Sequence, residues 1–268
     1  MDSHVDKFYR QFSDETPKGA FHKVVALHEA PDASWEELSK TAPALPKGWF
    51  ELSQMSPEER IEMLQAFWLS KLPFCPHITE DLDAFFKKLD DIAIFLVQPK
   101  FEDPWKAEMV YSLKDDGGFF RGGAPATEDQ LYNLQKLFPE TILPEDYAAF
   151  LTIHNGFSKA TDTGIISTDE FEERLRVYEA LFAPNEIPTT TAGKPVNPHS
   201  LIPFYESFGM PYYQCFWTDW WPETEMGNVY FNGINKQISS VDCPQPESEA
   251  MAFKSFSDWL FFYLETVS

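Results

Sequence analysis

Positive charge is scarce in this sequence. Twenty-one Lys and Arg stand against 43 Asp and Glu in 268 residues, a net charge of −22. Such a field repels phosphate backbones and anionic lipid headgroups, so no nucleic acid and no membrane surface is expected as a partner. Cysteine is scarce too. Cys75, Cys215 and Cys243 are widely spaced and odd in number, which gives neither a disulfide framework nor a paired zinc motif. A reducing, cytoplasmic setting is expected. Long apolar runs are missing: Ile92 to Val97 and Trp259 to Leu264 are the longest, far short of the roughly 20 residues that cross a bilayer. Met1 to Phe8 holds no basic stretch leading into an apolar one, so no secretory signal is expected. With only 12 glycines, the densest stretch is Gly117 to Gly123. It lacks the Gly-Lys-Ser/Thr ending of a phosphate loop and the Rossmann spacing, so no nucleotide cofactor is expected and the stretch reads as a hairpin turn and linker.

What the chain has in quantity is aromatic surface: 25 Phe, 10 Tyr and 8 Trp within a hydrophobic fraction of 43%. That is enough to offset the conformational entropy of folding, in one large or two small domains. In the first 126 residues, capping boxes at Ser34 and Ser56 and a cap at Thr79 predict helices. The second helix has Ile61, Leu64, Trp68 and Leu72 on one face. The period then changes to that of strands at Ile92 to Val97 and Lys106 to Leu113, with a turn at Asp115 to Gly118. Gly122 to Pro125 marks an expected boundary, giving residues 1–126 as an α-rich region ending in a β-hairpin and residues 127–268 as a second domain. The net charge of these parts is −8 and −14.

The second part opens with a capping box at Thr127 and carries Leu131, Leu134 and Leu137 on one face. Pro144 then starts a helix with Tyr147, Phe150, Leu151 and His154 inward, ended by Asn155-Gly156 with glycine in the left-handed position. Ser167 is expected to cap a third helix with Phe171, Leu175, Tyr178 and Phe182 inward. Six prolines between Pro184 and Pro211 predict loop around a short strand at Leu201 to Phe204, and strands follow at Tyr212 to Trp217, Gly227 to Phe231 and Gln237 to Val241. Ser255 caps a closing helix with Phe256, Trp259, Leu260 and Tyr263 inward.

Leu143-Pro144, Asp146-Tyr147, Phe150-Leu151 and Asn155-Gly156, followed by loops, strands and the aromatic helix Phe256-Ser-Asp-Trp-Leu260, resemble the SUKH superfamily over about residues 127–268. That family includes a yeast cell-wall synthesis regulator and many bacterial immunity proteins. The resemblance implies an α+β domain with a central sheet flanked by helices, acting by binding other proteins rather than by catalysis. Gln135 stands where a glutamate is common in the family.

The most unusual segment is Cys215 to Glu225, where Trp217, Trp220 and Trp221 lie among Asp219, Glu223 and Glu225. Tryptophan is enriched in binding hot spots, and carboxylates around it would steer a basic protein partner. These six residues are the candidate partner-binding site, set against ordinary core packing of the rings. The partner would be a toxic enzyme or effector whose cleft is occluded, or one of several clients of a regulatory scaffold. A hydrolase is the remaining alternative, with Asp219 and Glu223 as acids or Cys215 as a nucleophile beside His154 or His199. No nucleophile motif surrounds Cys215, and no catalytic residue is assigned. Cys75 and His77 lack a second ligand pair at zinc spacing, and His22 and His28 lie on different helix faces, so no metal site is expected. No motif specifies an oligomeric state.

Overall fold

The computed structural model describes residues 1–10, 21–182, 186–242 and 246–265, so Pro184 and Cys243 lie outside the described residues. The chain forms two compact units: Met1–Pro125 with Thr152–Ala160, and Ala126–Leu151 with Thr161–Thr266.

In the first unit, β1 (Lys23–Ala26), β2 (Leu89–Gln98), β3 (Lys106–Leu113), β4 (Phe119–Gly123) and β5 (Phe157–Lys159) pair antiparallel in that order. The hairpin expected from the sequence is thus the middle of a five-stranded sheet. Its helices are α1 (Ser3–Tyr9), α2 (Trp35–Thr41), α3 (Lys47–Ser53), α4 (Pro57–Lys71) and α5 (Ile78–Lys87). The continuous apolar run of β2 follows from cover on both faces. Ala93, Phe95 and Val97 meet Val5 and Tyr9 of α1. Tyr111, paired opposite Ile92, meets Trp68 of α4 and Phe85 and Phe86 of α5.

Several helix details differ from the sequence expectation. Ser56 forms its capping box with Glu59, but Ser34 caps α2 by position only, without a side-chain hydrogen bond. α5 starts at Ile78, directly after a left-handed His77 in the cap position, rather than with Thr79 as its cap, and the exposed His77 ring pairs with Glu80 at 2.8 Å. On α4 the buried stripe is Arg60, Leu64 and Trp68, with Ile61 only half-buried. Arg60 turns inward to pair with Asp91 at 2.6 Å, where the β2–β3 register shifts, and donates to the Met55 carbonyl at 3.2 Å.

The second unit contains β6 (Gly164–Ile165), β7 (Thr189–Thr190), β8 (Leu201–Glu206), β9 (Tyr212–Trp217), β10 (Asn228–Asn232), β11 (Gln237–Ile238) and β12 (Ala252–Phe253). Their order is β6-β8-β9-β10-β11-β7, with β12 also on β10, and only the β7–β11 pair is parallel. The helices are α6 (Glu128–Lys136), α7 (Glu145–Leu151), α8 (Phe171–Glu179), α9 (Glu247–Ala250) and α10 (Phe256–Glu265). Alternation along β8 and β9 sends Phe204 and Phe216 to Tyr147, Phe256 and Trp259 of α7 and α10. Tyr213, Cys215 and Trp217 go to the opposite face, where α8 supplies Tyr178 and Leu175. The fold is mixed α+β, with this sheet flanked by helices. α8 begins after Glu170 without the expected Ser167 side-chain cap. Among the described residues, no helix is long and apolar enough to cross a membrane.

α7 stops at Leu151, so His154 and Asn155-Gly156 lie beyond it rather than forming its last turn and cap. Gly156 does take positive φ (+88°), but in the turn entering β5. His154 is fully buried within the first unit. Trp68 Nε1 donates to Tyr111 Oη (3.0 Å), Tyr111 Oη donates to His154 Nε2 (2.6 Å), and His154 Nδ1 donates to the Gly123 carbonyl (3.1 Å). The indole can only donate and the carbonyl only accept, which sets every proton in the chain. Burial pulls the His154 pKa down to about 4, so the ring is neutral as this chain requires.

Gly122-Gly123 is therefore part of a strand and not a linker. A β-carbon on Gly122 would overlap the His154 ring, so only glycine lets the imidazole lie against β4. Gly122→Ala is expected to destabilise the protein by about 2–3 kcal/mol, the cost of overpacking a fixed polar chain, measured by urea unfolding. A change below about 0.5 kcal/mol would show that the ring moves aside freely.

Candidate functional site

The segment Leu143 to Tyr147 organises the second unit. Leu143 and Pro144 are buried, and Pro144 gives its carbonyl to Ala148 at the start of α7. Gln135 holds the approach: its amide nitrogen donates to the carbonyls of Phe138 (3.2 Å) and Thr141 (2.7 Å), and its oxygen accepts from Leu143 N–H (3.1 Å). A glutamate carboxylate could not make the first two bonds, which gives the departure from the family residue at this position a physical reason.

Asp146 is buried and accepts two backbone N–H bonds, from its neighbour Tyr147 (2.9 Å) and from Ser257 in the first turn of α10 (2.8 Å). A helix N-terminus has N–H groups with no partner inside the helix. Asp146 supplies one, 111 residues away in sequence, and so fastens the closing helix to the motif. Ser255 adds the local cap, accepting from Asp258 N–H at 3.0 Å. Tyr147, Phe150 and Leu151 are fully buried, and the first two contact Phe256. The two sequence motifs that looked independent are one contact.

The same turn anchors the tryptophan-rich loop. Glu225 Oε1 accepts from Glu145 N–H at 3.0 Å, and Thr141 Oγ1 donates to Met226 Sδ at 3.6 Å. The loop closes where Trp217 and Gly227 bond, and Gly227 N–H returns to the Trp220 carbonyl, both at 3.0 Å. The Trp220 ring lies directly on Gly227, leaving no room for a β-carbon. The sequence reading makes Gly227 a strand residue, and a glycine following a tryptophan cluster is the one signal that could have exposed this second role.

The six candidate binding residues are thereby sorted. Trp217 is buried in the core with Cys215 and Val229, so packing overrides the surface role expected of it. Trp220 packs partly buried against the same cluster. Glu225 is half-buried and used as an anchor. Trp221 is 49% exposed, with its indole fixed by a 2.8 Å bond from Nε1 to the Thr218 carbonyl. Asp219 and Glu223 are exposed on the same loop, and Lys254 Nζ lies 3.9 Å from both Glu223 and Glu247. The arrangement presents one pre-oriented indole among carboxylates. It suits a cationic, partly apolar contact.

The other candidates do different things. Cys215 is fully buried, and burial pushes its thiol well above the usual range, away from the reactive thiolate. Both nitrogens of His154 are engaged in the first unit. Asp219 and Glu223 are open surface groups rather than acids enclosed around a bond. Among the described residues, the one group that brings three possible metal ligands together is Asp2, His4 and Asp116, which does not include Cys75 or His77. Asp2 is already committed to the N–H groups of His4 (2.6 Å) and Gly118 (2.6 Å).

Desolvation raises the Asp146 pKa from 3.8 to about 6, against the lowering effect of its two N–H bonds. A carboxyl whose folded pKa lies above its unfolded value binds more protons when folded, so its contribution to stability falls as pH rises from about 4 to about 6. His154, shifted the opposite way, adds stability over an overlapping window, so the comparison must remove Asp146 alone. Asp146→Asn is expected to gain relative to wild type by about 2 kcal/mol between pH 4 and pH 7, read by urea unfolding at several pH values. A pH-independent difference would contradict the assigned shift.

The family described as SMI1 / KNR4 family (SUKH-1) matches residues 125–261, just over half of the chain, leaving residues 1–124 outside the match. No curated protein and no solved structure matches. The matched stretch includes the Leu143 to Leu151 motif, the tryptophan loop and most of α10, the parts that Asp146 and Glu225 tie together. The chain belongs to the SMI1/KNR4 family (SUKH-1), a membership that fits a non-catalytic, immunity-like or regulatory module.

Proposed function

We propose that this chain is a non-catalytic, cytoplasmic protein-binding module of SUKH type that captures a basic protein through the Trp221 face. In this reading the binding domain is residues 127–268 without Thr152–Ala160, the stretch that carries β5 and joins residues 1–126 in the first unit. The observation that carries the reading is the exposed, hydrogen-bonded Trp221 with Asp219 and Glu223 beside it. An indole already held in one orientation loses little freedom on binding, and this is what an anchor residue requires. The carboxylates, within a net charge of −22, accelerate encounter with a basic surface and discourage acidic ones. If the partner is a toxin or effector that acts on a phosphate polymer, its own substrate makes it basic, and occlusion of its cleft is the immunity-like mechanism.

The test is affinity capture with the full chain, Trp221→Ala, and Asp219→Asn/Glu223→Gln, each at low and high salt. One basic protein should be retained by wild type. Trp221→Ala should weaken it by about 30-fold, the loss of a hot-spot anchor. The acid-to-amide variant should bind more slowly and respond less to salt. Several unrelated proteins held equally by all three forms would instead support a regulatory scaffold, and retention indifferent to Trp221 would remove this face from the account.

A further inference from the structure

Two hairpin turns at one end of the second unit's sheet expose three large apolar side chains. Phe208 (66% exposed) and Met210 (42%) lie in the turn between β8 and β9, and Ile234 (57%) lies in the turn between β10 and β11. Because β9 pairs with both β8 and β10, the turns are neighbours, and Gly233 N–H donates to the Pro211 carbonyl at 2.8 Å. The Trp221 loop leaves β9 at its other end, a six-residue strand or about 20 Å away.

Both turns are fixed before any contact. Phe208 N–H donates to Asp162 Oδ1 (2.8 Å), Ser207 N–H donates to the Tyr212 carbonyl (2.9 Å), and Gly209 takes the positive φ (+73°) at the bend. In the second turn Asn232 Oδ1 accepts from the N–H groups of Ile234 (3.0 Å) and Asn235 (3.1 Å). Adjoining apolar side chains on a fixed backbone mark an interaction surface, since little freedom is lost when they are covered.

The charge around the turns narrows what can cover them. Residues 207–211 and 232–237 contain one lysine and no acid, in a chain with 43 Asp and Glu. That lysine, Lys236, lies 5.7 Å from the centre of the Phe182 ring. Two carboxylates flank the turns, and both are engaged. Asp162 accepts from Phe208 N–H, Thr163 N–H (2.9 Å) and Tyr205 Oη (2.8 Å), while Glu206 pairs with Arg174 at 3.2 Å. A basic partner gains little from such a surface. Two copies of this chain, which repel one another through a net charge of −22, can close to contact only where unpaired acids are missing, and this end of the sheet meets that condition. A two-fold axis also supplies the shape match, because it sets the bulky turn of each copy against the aliphatic turn of the other.

We propose that this end of the sheet is a self-association surface, on which a second copy of the chain docks about a two-fold axis with Phe208 and Met210 of each copy against Ile234 of the other. The contact is independent of the Trp221 face and of whether that face binds a protein. Three side chains make a patch well below the roughly 800 Å² per partner of a stable interface, so the dimer is weak, with a dissociation constant of about 0.3 mM. Its salt response is opposite to that of the Trp221 face: salt screens the repulsion between like-charged copies and strengthens the contact.

The experiment is sedimentation equilibrium of the full chain from about 0.02 mM to about 1 mM, in about 0.05 M and about 0.5 M NaCl. Wild type is compared with Phe208→Ser/Ile234→Ser, in which the replaced side chains are exposed and the hydrogen bonds of both turns come from the backbone and from Asp162 and Asn232. In high salt the wild-type mass should climb toward that of two chains, with association about threefold weaker in low salt and about tenfold weaker in the variant. The Met210 methyl resonance should move over the same concentration range. A single-chain mass at every concentration in high salt, association that the variant shares or that salt weakens, or a Met210 signal that stays fixed while the mass rises would overturn the proposal.

Discussion

The buried carboxylate of Asp146 is where the second unit is held together. It receives one N–H from its own helix and one from the first turn of the closing helix, so a single side chain joins two segments 111 residues apart in sequence. Placing a charge there is expensive, as its raised pKa records. What it gives in return is geometry: α10 can start at only one place relative to α7, and the rings of Tyr147, Phe204, Phe216, Phe256 and Trp259 can then interlock around it. One residue earlier, Glu145 takes the Glu225 carboxylate. The turn that fixes the closing helix therefore also fixes the loop that presents Trp221.

This dependence separates architecture from recognition within the family motif. Leu143, Pro144, Asp146, Tyr147, Phe150 and Leu151 are all buried and act on other parts of the fold. In the proposed reading, partner contact falls to side chains outside the motif, on the loop after β9. A common frame with replaceable surfaces is what a binding module needs if its partners differ, since changes to Trp221, Asp219 or Glu223 leave the Asp146 contact untouched. The first unit is organised by another polar chain, from Trp68 through Tyr111 and His154 to Gly123, and needs a glycine at position 122 to admit the imidazole.

The parts of the fold readable from sequence are those governed by local rules. The capping boxes at Ser56 and Thr127, the serine cap of the last helix, and the strands around Ile92 and Tyr213 follow from side chains within a few residues of one another. Illegible features depend on partners far along the chain. Arg60 is buried because Asp91 waits at a strand irregularity, and Gly122-Gly123 resembles a linker until His154 is brought against it. α7 ends at Leu151, four residues before the Asn-Gly signal that looked like its stop. At the candidate site, composition singled out the right loop but could not rank its tryptophans, because alternation along β9 and contact with Gly227 decide which ring reaches solvent.

The central claim, that the motif aspartate holds the closing helix, is tested most directly by hydrogen exchange at the Ser257 amide. This N–H sits in the first turn of α10, and its partner is the Asp146 carboxylate. The account predicts that Ser257 is strongly protected in the wild type and loses protection in Asp146→Ala, together with the first turn of α10, while the amides of β9 keep theirs. A Ser257 amide that exchanges as fast as an exposed one in the wild type, or that stays equally protected in the variant, would contradict it.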